Sequence, residues 1–132
     1  MSIKVDVLKS ITTPHGLVEL RADNILVFRP EISTFKDYNL IVLRDLLDAF
    51  LEITEGTPRP YLCDNRFVTG IINREEQAYI NKHFHEFATK SAMLTNSSLL
   101  RVMLNGYNAL FQPTVEIRLF KTETEAVDWL LT

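Results

Sequence analysis

The stretch that decides the fold is Tyr61-Leu62-Cys63-Asp64, a short apolar run that ends at an acidic residue. A run of this kind is typical of a strand that is buried on both faces of a parallel sheet. Helical patterns lie on both sides of it in the sequence. Because strands that alternate with helices are usually joined by right-handed crossovers, the chain is predicted to form a mostly parallel sheet.

Four helices are predicted, each from a capping residue followed by apolar residues at steps of three and four. Thr34 is expected to open the first helix, which ends at Gly56. Asn73 is expected to cap the second, residues 96–98 the third, and Thr122 the last. The apolar stripe of the second helix is predicted to comprise Ile80, Phe84, Phe87 and Ala88.

The remaining strands are predicted from short apolar or alternating runs. Residues 17–21 and 25–28 are expected to form an antiparallel hairpin, because Asp23-Asn24 between them suits a tight turn. Residues 91–95 and 115–119 are further strand candidates. Residues 1–14 are expected to be either a strand or a flexible arm. The prediction is therefore a single α/β domain over residues 1–132, with an N-terminal antiparallel hairpin and four helices.

The composition excludes several classes of protein. The chain has 132 residues and a net charge of -3, which gives no general attraction to nucleic acid or to anionic membranes. No apolar stretch approaches the roughly 20 residues of a membrane span, and the first residues lack the apolar run of a signal peptide. Cys63 alone cannot form an internal disulfide or a multi-cysteine zinc site. We expect a cytoplasmic protein with no cofactor, no metal, no nucleic-acid partner and no membrane span.

Residues 61–64, 91–97 and 119–130 together carry a family resemblance, the last through a capped acidic turn and an Ala-x-x-Trp-Leu ending. They resemble the STAS-like, or SpoIIAA-like, superfamily, which includes the anti-sigma-factor antagonists. The resemblance is greater to a bacterial group of uncharacterised SpoIIAA-like proteins. It implies β-α units with helices packed on the sheet, and a regulatory module that acts by protein contact.

The sequence departs from the antagonists in the loop that follows residues 61–64. In the antagonists, this loop leads to a phosphorylatable serine at the start of the next helix. Residues 64–74 contain no serine, Thr69 is their only hydroxyl residue, and Asn73 stands where the helix begins. The phosphorylation switch is therefore not carried over to this chain.

The loops at the carboxyl ends of the strands are the predicted working surface, because ligands and partners of open α/β sheets meet these loops. We call their polar residues the strand-end rim. The alternative interpretation is that these residues only cap helices and turn the chain. The strand-end rim comprises Asp64, Asn65, Arg66, Thr69, Asn73, Asn96 and Ser97.

Phe67, Ile71 and Ile72 lie in the same loop, and we call them the contact patch. Large apolar side chains on a loop either tuck into the core or form a surface for another molecule. The second alternative predicts a homodimer or a protein partner at this patch.

Other residues that can carry chemistry are assigned structural roles. His83 and His85 are two positions apart on a helix and point away from each other, so they are not predicted to share a metal ion. His15 has no visible partner in the sequence. Cys63 lies inside an apolar strand, which favours an inert, buried thiol. No catalytic motif is present, and we predict that the protein is not an enzyme.

The leading functional hypothesis is a module that binds a protein partner, or a second copy of itself, through the strand-end rim. The alternative is a carrier of a lipid or small apolar ligand, although a packed core explains the same apolar residues. An enzyme acting near Cys63 and Asp64 ranks last. The residues proposed to line a carrier cavity are Phe84, Phe87, Met93, Met103 and Tyr107.

Overall fold

The computed structural model describes residues 5–68, 72–97 and 115–132. These residues form one six-stranded sheet in which the strands lie side by side in chain order. Strands β1 to β3 pair antiparallel, and β3 to β6 pair parallel. The strands are β1 (Val7–Thr13), β2 (Gly16–Arg21), β3 (Leu26–Pro30), β4 (Arg59–Asp64), β5 (Ala88–Leu94) and β6 (Ile117–Phe120).

Three helices connect or follow these strands in the described residues: α1 (Leu40–Thr54), α2 (Arg74–Phe87) and α3 (Glu123–Leu130). The α/β class and the mostly parallel sheet are confirmed. The helix predicted after residues 96–98 lies outside the described residues.

The N-terminal hairpin is confirmed, and a further strand extends it. Asn24 adopts a φ of 73°, the left-handed conformation that a tight turn between β2 and β3 requires. Of the two alternatives for the first residues, a strand is present over Val7–Thr13, and it pairs with β2.

The predicted start of the first helix is wrong. The helix begins at Leu40, where Asn39 Oδ1 accepts a hydrogen bond from the Val42 amide at 3.0 Å. Thr34 instead lies in a turn, in which its amide donates to the Glu31 carbonyl at 3.2 Å. Phe35 packs on the core from the segment that precedes the helix.

The predicted starts of the second and last helices are confirmed. The Asn73 side chain accepts from the Glu76 amide at 2.8 Å, and the Glu76 carboxylate accepts from the Asn73 amide at 2.9 Å. Thr122 accepts from the Glu125 amide at 3.3 Å. Ala88 does not belong to the stripe of α2, because it is the first residue of β5, which follows the helix directly.

Helices cover both faces of the sheet, so successive residues of its central strands are buried on opposite sides. Tyr61 and Cys63 belong to the core beneath α1 and α2, whereas Leu62 belongs to the core beneath α3. This explains why residues 61–63 are continuously apolar. The first core is rich in aromatic rings, with the centroids of Phe50 and Phe87 lying 4.7 Å apart.

Candidate functional site

The carboxyl ends of the parallel strands meet at one edge of the sheet, as predicted for the strand-end rim. Backbone hydrogen bonds continue past the strand ends and join the loops. The Asn65 amide donates to the Leu94 carbonyl at 3.0 Å, and the Thr95 amide donates to the Phe120 carbonyl at 3.0 Å. The loops after β4, β5 and β6 are therefore held side by side.

Asp64 and Arg66 form a two-point ion pair on this edge. Arg66 donates from Nε to Asp64 Oδ1 at 2.9 Å and from Nη2 to Asp64 Oδ2 at 2.7 Å. Partial burial raises the pKa of Asp64, but the hydrogen bonds and charge of Arg66 outweigh that effect and hold the pKa below its ordinary value. The pair shapes the turn after β4, since the Arg66 amide also donates to Asp64 at 3.3 Å.

The Asn65 side chain contacts Tyr38 and Cys63 in a half-buried polar cluster. Its Oδ1 accepts a hydrogen bond from the Tyr38 hydroxyl and lies 3.3 Å from the Cys63 sulfur. The Tyr38 hydroxyl is also 3.1 Å from that sulfur. Burial raises the pKa of the Cys63 thiol to about 11, so the thiol is protonated at neutral pH. The predicted burial of Cys63 is confirmed.

The other residues of the rim differ in the contacts that they make. Asn96 donates to the Arg66 carbonyl at 3.4 Å, which brings it together with the loop after β4. The Ser97 amide donates to the Thr95 hydroxyl at 3.1 Å. The Asn73 side chain accepts from its own helix as the cap described above. Thr69 and Ile71 lie outside the described residues.

Arg29, a charged residue at the same edge, was not predicted as part of the site. Arg29, near the end of β3, reaches Glu123 of α3 at 2.8 Å and Glu19 of β2 at 3.2 Å. The positive charge of Arg29 also contributes to lowering the pKa of Asp64. Glu123 is far from Arg29 in sequence, so the contact between them could not be predicted, and only the position of Arg29 at a strand end could have drawn attention to it.

The described members of the contact patch do not tuck into the core. Phe67 is 64% exposed and Ile72 is 39% exposed. Ile32, which follows the neighbouring strand β3 at the same edge, is 70% exposed. Two adjacent strand-end loops therefore present large apolar side chains to solvent.

A cavity of about 100 Å³ lies behind the rim, between α1, α2 and the sheet. Its lining is almost entirely apolar, with a polar end formed by Tyr38, Cys63 and Asn65. Phe84, Phe87 and Met93 line it, as the carrier hypothesis expected. Met103 and Tyr107 lie outside the described residues.

The histidines make local contacts. His15 has a partner, contrary to the sequence interpretation: its Nε2 lies 2.7 Å from Asp45 Oδ2 of α1. His83 contacts Glu86 one turn along α2. Within residues 5–68, 72–97 and 115–132, no group of three or more His, Cys, Asp or Glu side chains is arranged to hold a metal ion. In the same part of the chain, none of the helices has the length and apolar character needed to cross a membrane.

Comparisons with known proteins agree with this architecture. A family model described as a domain of unknown function (DUF7793) matches residues 18–132. A crystal structure of an uncharacterised protein from the DUF3478 family of Shewanella loihica PV-4 superposes with a TM-score of 0.58. The alignment covers 98% of each chain at 14% identity, and that protein has a SpoIIAA-like fold. No curated protein matches the chain. The resemblance to the SpoIIAA-like fold is thereby confirmed.

Proposed function

This chain belongs to the DUF7793 family, a domain of unknown function, and we propose that it is a regulatory module that binds a protein through its contact patch. The observation that carries the proposal is the exposure of Phe67, Ile72 and Ile32 on adjacent loops at one sheet edge. Protein interfaces have an apolar centre within a polar border. The contact patch supplies the apolar part and the strand-end rim supplies the polar border.

The rim residues that the structure describes support binding by holding residues 64–66 and Asn96 together. Asp64 and Arg66 satisfy each other, and the Asn96 side chain donates to the loop after β4. Residues that are already held in place lose little conformational entropy when they bind. The apolar side chains are therefore the residues from which we expect most of the binding free energy, since buried aromatic anchors dominate many interfaces.

We further propose that the module acts by binding rather than by catalysis. The thiol of Cys63 is buried and its pKa is raised to about 11, which opposes a role as a nucleophile. Asn65 and Asp64, the neighbouring residues with polar side chains, are engaged in holding the loop. The regulatory character of the proposal is supported by the SpoIIAA-like fold alone, which is an argument by analogy.

The experiment compares Phe67→Asp with Leu8→Asp as a matched control. Leu8, on the edge strand β1, is 65% exposed, close to the 64% of Phe67, but it lies away from the strand-end rim. Both variants are expected to keep the stability of the wild type within about 0.5 kcal/mol, because each side chain is largely in solvent.

Light scattering after size exclusion measures self-association, and affinity capture from native cells followed by mass spectrometry measures partner binding. We expect Phe67→Asp alone to lose the dimer or the captured partner. A wild type that is monomeric at high concentration and shares one capture profile with both variants contradicts the proposal.

A further inference from the structure

The cavity behind the rim has a floor made by strands and a roof made by helices. Tyr61, Cys63, Ser91 and Met93 of β4 and β5 form the floor, and apolar residues of α1 and α2 form the roof. Leu43 and Tyr79 of the roof are half-buried, so this side of the cavity approaches the surface between the two helices.

Ser91 places a hydroxyl group in this apolar floor. The residue is fully buried, and its Oγ has no hydrogen-bond partner within the part of the chain that the structure describes. Its neighbours in register are Tyr61 and Ile117, which pack in the core beneath α1 and α2. Because side chains in register point to the same face of a parallel sheet, the Ser91 hydroxyl faces the cavity.

An unpaired hydroxyl in an apolar environment is unfavourable by about 1–3 kcal/mol, so buried hydroxyls normally have partners. A ligand that fills the cavity and offers one hydrogen-bonding group would supply such a partner. The polar side chains that line the cavity include those of Tyr38, Cys63, Asn65 and His83. His83 contacts Glu86 of its own helix, so the described lining leaves no side chain to balance the charge of a ligand, and burying an uncompensated charge is strongly unfavourable.

We propose that this cavity binds a small, uncharged ring compound with one hydroxyl group, a ligand of the phenol class. An engineered cavity of about 150 Å³ with apolar walls is large enough for benzene. The present cavity, at about 100 Å³, is smaller, so its ligand is at most a single ring and a complete lipid is excluded. The ring lies among the side chains of Phe50, Phe84 and Phe87, and its hydroxyl pairs with Ser91.

The test uses phenol and benzene as probes, with the full chain labelled for NMR. The amide resonances of Tyr61, Phe84 and Ser91 are followed while each probe is added. The dissociation constant expected for so small a ligand is about 1 mM, so each titration extends to roughly ten times that concentration. Ser91→Ala removes the hydroxyl. Ser10→Ala, on the exposed strand β1, is the matched control.

We expect both probes to shift the amides that line the cavity. Ser91→Ala is expected to weaken phenol binding about threefold to tenfold, the value of one hydrogen bond, and to leave benzene binding unchanged. Thermal unfolding shows that the variant is folded, and its midpoint is expected to equal or exceed that of the wild type, because an unpaired polar atom has been removed.

Three results overturn the proposal. The first is the absence of any shift at the lining amides. The second is a set of shifts confined to exposed residues around Phe67. The third is an equal loss of phenol and benzene binding in Ser91→Ala, because this result means that the hydroxyl does not select the ligand.

Discussion

Replacement of Gly16 by alanine is expected to destabilise the antiparallel part of the sheet severely. Gly16 begins β2 with a φ of +149°, a backbone conformation that residues with a Cβ rarely adopt. A Cβ at this position would lie 2.3 Å from the Arg29 carbonyl oxygen and 2.8 Å from Pro30 Cα. Since both contacts are with backbone atoms, no change of side-chain rotamer relieves them, and the pairing of Gly16 with Pro30 must open.

Gly56 is a matched control for this substitution. Its φ is +76°, but a Cβ there would meet nothing within 4 Å. Gly56→Ala is therefore destabilised only by the unfavourable backbone conformation, by about 1–2 kcal/mol. Gly16→Ala has a backbone strain of about 1–3 kcal/mol and a forced displacement of similar size, so its free energy of unfolding falls by about 2–6 kcal/mol.

Urea unfolding followed by circular dichroism measures the difference. With a slope of about 2 kcal/mol per molar urea, a loss of about 4 kcal/mol lowers the midpoint by about 2 M, against less than about 1 M for Gly56→Ala. The reasoning is refuted if the midpoint of Gly16→Ala falls no further than that of Gly56→Ala at the same slope.

Two further predictions concern the groups around β4. With a pKa of about 11, about one Cys63 thiol in a thousand is ionised at pH 8. A thiol-reactive disulfide should therefore label the folded protein far more slowly than the protein unfolded in urea. Equal labelling rates would disprove burial of the thiol. Asp64→Asn should lower the free energy of unfolding at pH 7 by about 0.5–1 kcal/mol, because Asp64 is partly exposed and solvent screens its pair with Arg66. The pKa of Asp64 in the folded protein lies below its ordinary value of 3.8, so this stabilisation is present above about pH 4 and is lost as the pH falls through the folded pKa. The difference between wild type and variant should therefore shrink in acid, and a difference that persists unchanged at low pH would exclude the ion pair as its cause.

Local features of the fold were predictable from the sequence because their causes lie within a few residues. The cap at Asn73 depends on Glu76, three positions later, and the strand at residues 61–64 is recognisable from its own apolar run. The start of α1 was not predictable in this way. Thr34 and Asn39 are both good capping residues, and the choice is set by a turn at Glu31 together with the packing of Phe35 on the core.

The position of the candidate site on the sheet was predictable from the sequence, but the contacts between its side chains were not. The rule that parallel strands end at one edge gave the position of the rim. The pairs that organise it join distant parts of the chain, such as Arg29 with Glu123 and Tyr38 with Asn65. A sequence contains no distance between such residues, so these contacts follow only from the way the strands are ordered in the sheet.

Asn65 connects the two sites that we propose. Its backbone amide pairs with the end of β5, and its side chain forms part of the polar end of the cavity. Phe67 follows it by two residues, so the loop that carries the contact patch is anchored at the cavity. The Phe67 side chain itself does not contact the cavity, because it points to solvent and is not part of the cavity lining. Phe67→Asp should consequently leave phenol binding intact, and Ser91→Ala should leave partner binding intact. Each proposal can therefore fail while the other stands. An effect of either variant on both activities would mean that changes pass between the cavity and the patch through Asn65 or through Ile72, which belongs to the patch and also lines the cavity.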